Sequence, residues 1–154
     1  MQKITPCLWF DTQAEEAAKF YVSVFKNSKV GKISHYGEGQ PMPAGTVVTV
    51  AFTLDGNEFT GLNGGPMFKF SEAVSFQVDC ADQAEVDFFW DKLVQGGGEH
   101  SVCGWLKDRY GLSWQIVPHV MSSLIAGPKA DKVMAAMMQM TKLDIAKLEA
   151  AAKN

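Results

Sequence analysis

The chain has 154 residues, of which 47% are hydrophobic and 20% are charged, and its formal net charge is −3. This composition is typical of a folded domain large enough to bury a core. The mild negative charge provides no basic face for phosphate backbones, which argues against a nucleic acid partner. No apolar run approaches the roughly 20 residues of a membrane-spanning helix, and the first residues lack the layout of a signal peptide.

Three cysteines, Cys7, Cys80 and Cys103, form an odd set without CxxC spacing. Such a set is typical of free thiols in a reducing compartment, so the sequence predicts a cytoplasmic protein. Cys7 is the best placed of the three for nucleophilic catalysis. No histidine lies near it in the sequence, however, and a packed thiol is the favoured interpretation.

The first half of the chain predicts a strand, a helix and three further strands. A short apolar stretch at residues 7–10 precedes a helix start at Thr12, which has the spacing of a capping box with Glu15. Phe20 and Val24 continue the helical period. Strand candidates separated by turn-forming residues follow at residues 29–36, 46–54 and 58–63.

The second half repeats this order. The sequence Asp-Gln-Ala-Glu at residues 82–85 echoes Thr-Gln-Ala-Glu at residues 12–15, and it follows a strand candidate at residues 74–78. After three glycines that end the second helix, strand candidates follow at residues 99–103, 105–107 and 112–117. Each half therefore predicts a βαβββ module, at about residues 1–66 and 72–118. A ferredoxin-type βαββ unit, with one strand fewer per half, is the second choice.

A helical tail is predicted at about residues 120–152 of the same domain. Its segments are residues 120–126, 129–140 and 144–152, with a break at Gly127 and Pro128. The tail contains a cluster of methionines, namely Met134, Met137, Met138 and Met140. We interpret this apolar surface as core or subunit-interface packing, ahead of a flexible ligand-binding surface.

Several segments carry a family resemblance. They are residues 4–10 (ITPCLWF), 17–21 (AAKFY), 59–66 ending in Asn-Gly-Gly-Pro, 108–118 containing Trp-Gln-Ile-Val-Pro, and 140–148 in the tail. With these segments the chain resembles the vicinal oxygen chelate superfamily, which includes glyoxalase I and bleomycin-resistance proteins. Within that superfamily it is most similar to the PhnB-like group, often labelled 3-demethylubiquinone-9 3-methyltransferase.

The resemblance implies an α+β, glyoxalase-like fold in which two βαβββ modules wrap curved sheets, with helices outside and a ligand cup on the concave side. It also implies a bacterial homodimer. Strand alternation then predicts which side chains face the cup. They are small, polar or aromatic and carry no charge, and a hairpin tyrosine joins them: Thr5, Cys7, Trp9, Thr49, Thr53, Phe59, Asn63, Ser75, Gln77, Tyr110 and Gln115.

Metal-dependent members of the superfamily hold a divalent ion with His and Glu on four strands. The resemblance places those positions near Thr5, Phe59, Ala73 and Gln115, none of which is a carboxylate or an imidazole. A register shift of two residues would add only neutral oxygen ligands, which do not hold a transition metal. The sequence therefore predicts no bound metal and no cofactor.

The methyltransferase label is not supported by a glycine-rich cofactor loop between a strand and a helix. The glycines at residues 96–98 follow a helix, and Asn-Gly-Gly-Pro enters a loop. Asp108 and Arg109 are interpreted as a solvated turn. Whether the protein is an enzyme stays open, and the leading hypothesis is a metal-free protein that binds a small neutral or aromatic molecule. The alternatives are a metal-dependent isomerase, lyase or dioxygenase with His35 or His100 from a partner subunit, and the methyltransferase.

Overall fold

The computed structural model describes residues 2–154 and confirms the α+β architecture of two βαβββ modules followed by a helical tail. The chain divides into two compact units, one ending at Lys69 and the other spanning Phe70–Asn154. Module 1 lies in the first unit, and module 2 and the tail lie in the second. Each module has its own four-stranded sheet with the same strand order.

Module 1 contains the strands β1 (Cys7–Phe10), β2 (Lys29–His35), β3 (Val47–Leu54) and β4 (Asn57–Asn63), with helix α1 (Ala14–Val24) between β1 and β2. The order across the sheet is β1-β4-β3-β2. Strand β1 pairs with β4 in parallel, and the other two pairs are antiparallel. Since a parallel pair cannot be joined by a tight hairpin, α1 forms part of the crossover connection.

Helix α1 packs on one face of this sheet. Its buried positions, spaced by three and four residues, are Ala14, Ala17, Ala18, Tyr21 and Val24. Facing them are the alternate strand residues Leu8, Phe10, Val50, Phe52 and Leu54, each at most 6% exposed. Burial of each such large side chain contributes about 2 kcal/mol to the free energy of unfolding. The predicted alternation of β1 and β3 is therefore confirmed.

The beginning of α1 differs from the predicted capping box. The helix starts one residue later than expected, with Gln13 at the N-cap, and no side chain at that position caps it. The first helical amide, Ala14 N–H, instead donates to Asn63 Oδ1 at 2.8 Å. Asn63 Nδ2 in turn donates to the Val47 carbonyl at 3.2 Å. The cap is thus supplied by a residue distant in sequence, which a local pattern cannot reveal.

Module 2 contains β5 (Ser75–Cys80), α2 (Gln83–Lys92), β6 (Glu99–His100), β7 (Trp105–Lys107) and β8 (Ser113–Pro118), in the order β5-β8-β7-β6. Strand β6 has two residues where residues 99–103 were predicted. The chain leaves the extended conformation at Cys103, whose φ is 58°, and at Gly104, whose φ is 84°. Strand β6, at the edge of this sheet, is therefore short.

The capping box predicted for α2 is confirmed for the bond that Asp82 accepts, whereas Glu85 bonds one residue before the expected position. Asp82 Oδ1 accepts a hydrogen bond from Glu85 N–H at 2.9 Å. Glu85 Oε1 accepts from Ala81 N–H at 2.7 Å, one residue before the N-cap. Val86 and Trp90 turn inward from this helix and are at most 5% exposed. The His100 ring stacks on Trp90 with its centroid 4.2 Å away, so this histidine is held by packing.

The tail forms α3 (Met121–Ile125), α4 (Ala130–Met137) and α5 (Ile145–Lys153). Its own core contains Met121, Val133, Leu143 and Leu148. The methionines predicted to form one apolar surface are divided: Met137 and Met140 pack against this core, whereas Met134 is 47% and Met138 64% exposed. The described helices include none that is long and apolar enough to cross a membrane.

Side-chain and backbone hydrogen bonds attach the tail to module 2. Gln83, in the first turn of α2, accepts from Ile145 N–H at 2.9 Å and donates to the Leu143 carbonyl at 3.0 Å. Backbone N–H groups of Cys103 and Gly104 donate to carbonyl groups at residues 140 and 141. The tail is therefore an integral part of the second unit.

Replacing Asn63 with Ala is expected to lower the free energy of unfolding by about 2 kcal/mol, because the Ala14 amide would lose its only capping group in a buried position. Chemical denaturation followed by circular dichroism measures this loss. Asn57→Ala serves as the control, since the Asn57 side chain makes only long bonds of 3.3 Å at an exposed turn. A loss for Asn63→Ala no larger than for this control would contradict the proposed capping role.

Candidate functional site

The face of the module 1 sheet opposite α1, here called open face 1, carries a row of side chains across all four strands. Register places Trp9 beside Leu62, Leu62 beside Thr49, and Thr49 beside Ser34. The hydroxyl groups of Ser34 and Thr49 are hydrogen-bonded to each other. The centre of open face 1 therefore combines one indole ring, one aliphatic side chain and a pair of hydroxyl groups.

Trp9 is held in a fixed orientation. Its indole Nε1–H donates to the Gly65 carbonyl at 2.9 Å, and Phe68 packs edge-on with a centroid distance of 4.9 Å. A Cβ atom at Gly64 would lie 2.4 Å from the indole ring, so only glycine permits this approach. The Asn-Gly-Gly-Pro segment thus positions a half-buried tryptophan, a role that its sequence did not disclose.

Open face 1 is charged toward one end, which corrects the prediction of an uncharged lining. Thr53 is the paired neighbour of both Lys29 on β2 and Glu58 on β4. The prediction placed Thr53 in the cup by strand alternation but did not consider the strands beside it. The uncharged part of this face is the row that contains Trp9 and Thr49, with Cys7 and the exposed Thr5 beyond it.

Phe59 and Asn63 lie on the opposite face from the one predicted. Phe59 pairs with Phe52, and their rings stack with centroids 5.4 Å apart on the face that carries α1. Asn63 pairs with Phe10 and is 8% exposed. The residue between them in the alternation is Gly61, where a Cβ atom would approach α1 to 3.3 Å. A glycine between Phe59 and Asn63 in the sequence is the signal that this face of β4 lies close to a helix.

The corresponding face of module 2, open face 2, is built from two rows of side chains. One row contains Ser75, Ser113 and Lys107, and the other contains Gln77, Gln115 and Trp105. Gln115 Nε2 donates to Ser75 Oγ at 2.9 Å, which links the rows. The structure therefore brings the predicted residues Ser75, Gln77 and Gln115 together and adds Trp105 and Lys107, which the prediction missed.

An ion pair borders open face 2. Lys107 Nζ lies 2.6 Å from Glu72 Oε1. This hydrogen bond, and then the charge of Lys107, lowers the pKa of Glu72, while Glu72 raises the pKa of Lys107 in the same way. Glu99 is the paired neighbour of Lys107 on β6. Both partners of the pair are partly exposed, so solvent screens their attraction.

Asp108 is buried, which corrects its interpretation as part of a solvated turn. It is 2% exposed, and its Oδ1 accepts from the N–H groups of Tyr110 and Leu112. Its Oδ2 accepts from Trp114 Nε1–H at 2.9 Å. Three donors satisfy this carboxylate and fix the hairpin. Tyr110, a predicted ligand residue, lies half-buried in this hairpin with the Arg109 guanidinium 5.8 Å from its ring centroid.

A catalytic metal does not fit the donors that the open faces present. Gln115 and Ser75 are neutral, and Glu72 is engaged by a lysine. His100 stacks on Trp90, and His119 pairs with Asp79 at an exposed position. Across residues 2–154, no group of three or more His, Cys, Asp or Glu side chains is arranged to hold an ion. Transition metals require several anionic or imidazole ligands.

S-adenosylmethionine, the cofactor that the methyltransferase label implies, also does not fit the glycine segments. The ring of Trp9 occupies the space over Gly64. The Arg109 side chain lies over Gly96, where a Cβ atom would be 2.5 Å from the guanidinium carbon. A Cβ atom at Gly98 would be 2.5 Å from the Lys107 carbonyl oxygen. These glycines therefore accommodate other parts of the chain.

Comparison with known proteins agrees with this architecture. Residues 2–117 match the family model described as 3-demethylubiquinone-9 3-methyltransferase. The PhnB protein of Bacillus cereus, which carries the same methyltransferase description, is 39% identical with a TM-score of 0.69, covering 76% of this chain and 99% of its own. Protein PA1353 from Pseudomonas aeruginosa has 17% identity and a TM-score of 0.62, covering 77% of this chain and 98% of its own. No curated protein sequence matches the chain.

The protein is therefore a member of the vicinal oxygen chelate superfamily, as the sequence resemblance implied. Within that class, it belongs to the PhnB-like family whose model is described as 3-demethylubiquinone-9 3-methyltransferase. The family match ends at residue 117, so the helical tail lies outside it.

The three cysteines differ in exposure. Cys7 is exposed on open face 1, Cys103 is half-buried and Cys80 is buried. Burial raises the pKa of the Cys80 thiol to about 12, and the nearby carboxylates of Glu85, Asp79 and Asp82 add to this shift. Cys80 is therefore protonated at neutral pH and is a poor nucleophile.

Limited alkylation with iodoacetamide at mildly alkaline pH is expected to modify Cys7 first and to leave Cys80 unmodified in the folded protein. The reason is that the thiolate reacts, and burial suppresses both ionisation of Cys80 and access to it. Peptide mass spectrometry measures the extent at each site. Denatured protein is the control, in which all three thiols should react; early modification of Cys80 in the folded protein would contradict this assignment.

Proposed function

We propose that this protein binds a small neutral or aromatic organic molecule on its open sheet faces, without a catalytic metal. The observation that carries the proposal is the fixed indole of Trp9 in the uncharged centre of open face 1. Its N–H is already bonded to Gly65, so the ring offers a ligand mainly stacking area. Cys7, Thr49 and the more peripheral Thr5 and Thr53 are proposed to contribute contacts around it.

Open face 2 supports the same proposal with amide and hydroxyl groups. Ser75, Gln77 and Gln115 share this face with the half-buried ring of Trp105. Ligand sites commonly combine apolar or aromatic area with a few polar groups that set orientation. Tyr110 remains a proposed contact from the hairpin. Phe59 and Asn63 are omitted, since both pack on the face that carries α1.

The family description favours one further candidate, transfer of a methyl group. Such an activity requires a methyl donor, and neither glycine segment accommodates one. Calorimetry with S-adenosylmethionine tests this candidate directly. Saturable binding of that compound at one equivalent per chain would support methyl transfer and would displace simple ligand binding as the preferred function.

The ligand-binding proposal predicts chemical-shift changes on the open faces when isotope-labelled protein is titrated with benzamide, benzyl alcohol or acetophenone. Trp9→Leu is expected to weaken binding at open face 1 by about tenfold, because the stacking area of the ring is lost. Phe88→Leu is the matched control: it makes the same type of change at an aromatic residue on α2 that is 44% exposed, and it should leave the affinity unchanged.

Two further measurements test the ligand-binding proposal, one for bound metal and one for unfolding of the variants. Metal analysis of protein purified without chelator should find less than a stoichiometric amount of any transition metal. Thermal melting of each variant shows whether lost binding reflects unfolding. If none of the three compounds shifts a resonance on either open face, or if both leucine variants bind equally well, binding of this ligand class is rejected.

We also propose that the protein is a bacterial homodimer, as the resemblance implied, and that it lies in the cytoplasm, as its cysteines indicated. The first unit exposes large apolar side chains of the kind that interfaces bury: Ile4 at 85%, Met67 at 78% and Phe68 at 59%. Light scattering during size-exclusion chromatography is expected to give twice the chain mass of 16.8 kDa. Replacing Met67 with Glu should shift the mass toward that of one chain, and a monomeric native protein would contradict the proposal.

A further inference from the structure

One polar atom on open face 2 has no partner. Ser113 is 1% exposed, and its Oγ forms no hydrogen bond with any of the described residues. It is the only buried side-chain nitrogen or oxygen in residues 2–154 with this property. A buried hydroxyl without a partner destabilises the folded state, and native proteins keep few of them. Such an atom therefore requires an explanation.

The position of Ser113 points to the kind of partner it lacks. Register places it between Lys107 on β7 and Ser75 on β5, on the face opposite α2. Both neighbours are already engaged, since Ser75 accepts from Gln115 and Lys107 pairs with Glu72. The hydroxyl thus lies in a polar row whose other two members are bonded to groups outside the row.

We propose that Ser113 Oγ is the hydrogen-bonding partner of the polar group of a bound ligand, which rests on the ligand-binding function proposed above and assigns its polar end to open face 2. The ligand class is a neutral molecule with a carbonyl, hydroxyl or amide group attached to an aromatic ring. The polar group bonds to Ser113, and the ring lies along the neighbouring row beside Trp105. Gln115 uses one amide N–H on Ser75, and its carboxamide retains further hydrogen-bonding capacity.

The surrounding charges select a neutral ligand. A carboxylate at Ser113 would approach Glu72 and Glu99, the two acidic neighbours of Lys107. An ammonium group would approach Lys107 itself. Either ion would have to replace one partner of an existing ion pair and lose its own hydration, whereas a neutral group has neither cost.

For a ligand to reach Ser113, the ion pair of Glu72 and Lys107 at the border of open face 2 has to separate. The Glu72 and Lys107 side chains are 62% and 38% exposed, so separating them exchanges a solvent-screened contact for hydration at little cost. Added salt screens this pair further. Binding of a neutral compound should therefore persist at high salt, which distinguishes it from recognition of an ionic group.

The test compares Ser113→Ala with Ser34→Ala. Without ligand, Ser113→Ala should melt at the same or a higher temperature than the native protein, because it removes an unsatisfied hydroxyl. Ser34→Ala should melt lower, since it removes the bond to Thr49. In titrations followed by nuclear magnetic resonance, Ser113→Ala should lower the affinity of open face 2 by about tenfold for benzamide, benzyl alcohol and acetophenone. Toluene, which has no polar group, should bind both proteins equally.

Each other result overturns the assignment. Equal affinity of native protein and Ser113→Ala for the three polar compounds rejects Ser113 as the partner while leaving ligand binding intact. Shifts confined to open face 1 do the same. A lower melting temperature for Ser113→Ala would show that the hydroxyl is already satisfied by ordered water. If no compound binds either face, the proposed function fails together with this inference.

Discussion

The side-chain amide of Asn63 connects three elements of module 1. From the end of β4 it accepts from the first amide of α1 and donates to the first residue of β3. These bonds fix where the helix begins relative to the sheet, and so determine which strand residues the helix covers. The face left uncovered, including the position of Trp9, depends on this arrangement. The following glycine then admits the indole ring at close range.

Module 2 reaches the same topology with a different polar anchor. There the buried carboxylate of Asp108 accepts from two backbone amides and the Trp114 indole, which fixes the hairpin leading into β8. From the sequence, Asn63 was predicted to face the ligand cup and Asp108 to lie in a solvated turn. In the structure both side chains form hydrogen bonds that stabilise the fold. The repeated topology is therefore maintained by interactions that are not themselves repeated.

Apolar periodicity and the internal repeat predicted the βαβββ order of each module, and the family resemblance implied the glyoxalase-like arrangement. It was less informative for the candidate site, whose membership depends on pairing between strands. Alternation placed Trp9, Thr49, Ser75 and Gln115 correctly on the open faces. It misplaced Phe59, because the register of β4 with β3 is a tertiary property that places Phe59 opposite Phe52. The charges near Thr53 were missed for the same reason, as they come from neighbouring strands.

The attachment of the tail through Gln83 has a consequence for synthesis of the chain. Residues 145–153 leave the ribosome after both modules, and chains generally fold from the N-terminus as they emerge. The four strands on which the helix of module 1 packs all lie within the first 69 residues. The Gln83 carboxamide in α2, by contrast, can bond to Asp87 within the same helix but must wait for Leu143 and Ile145 to complete its hydrogen bonds. Until the tail docks, nascent module 2 therefore exposes the Gln83 carboxamide and the surface that the tail later covers. This interval is when module 2 offers a chaperone the most exposed surface.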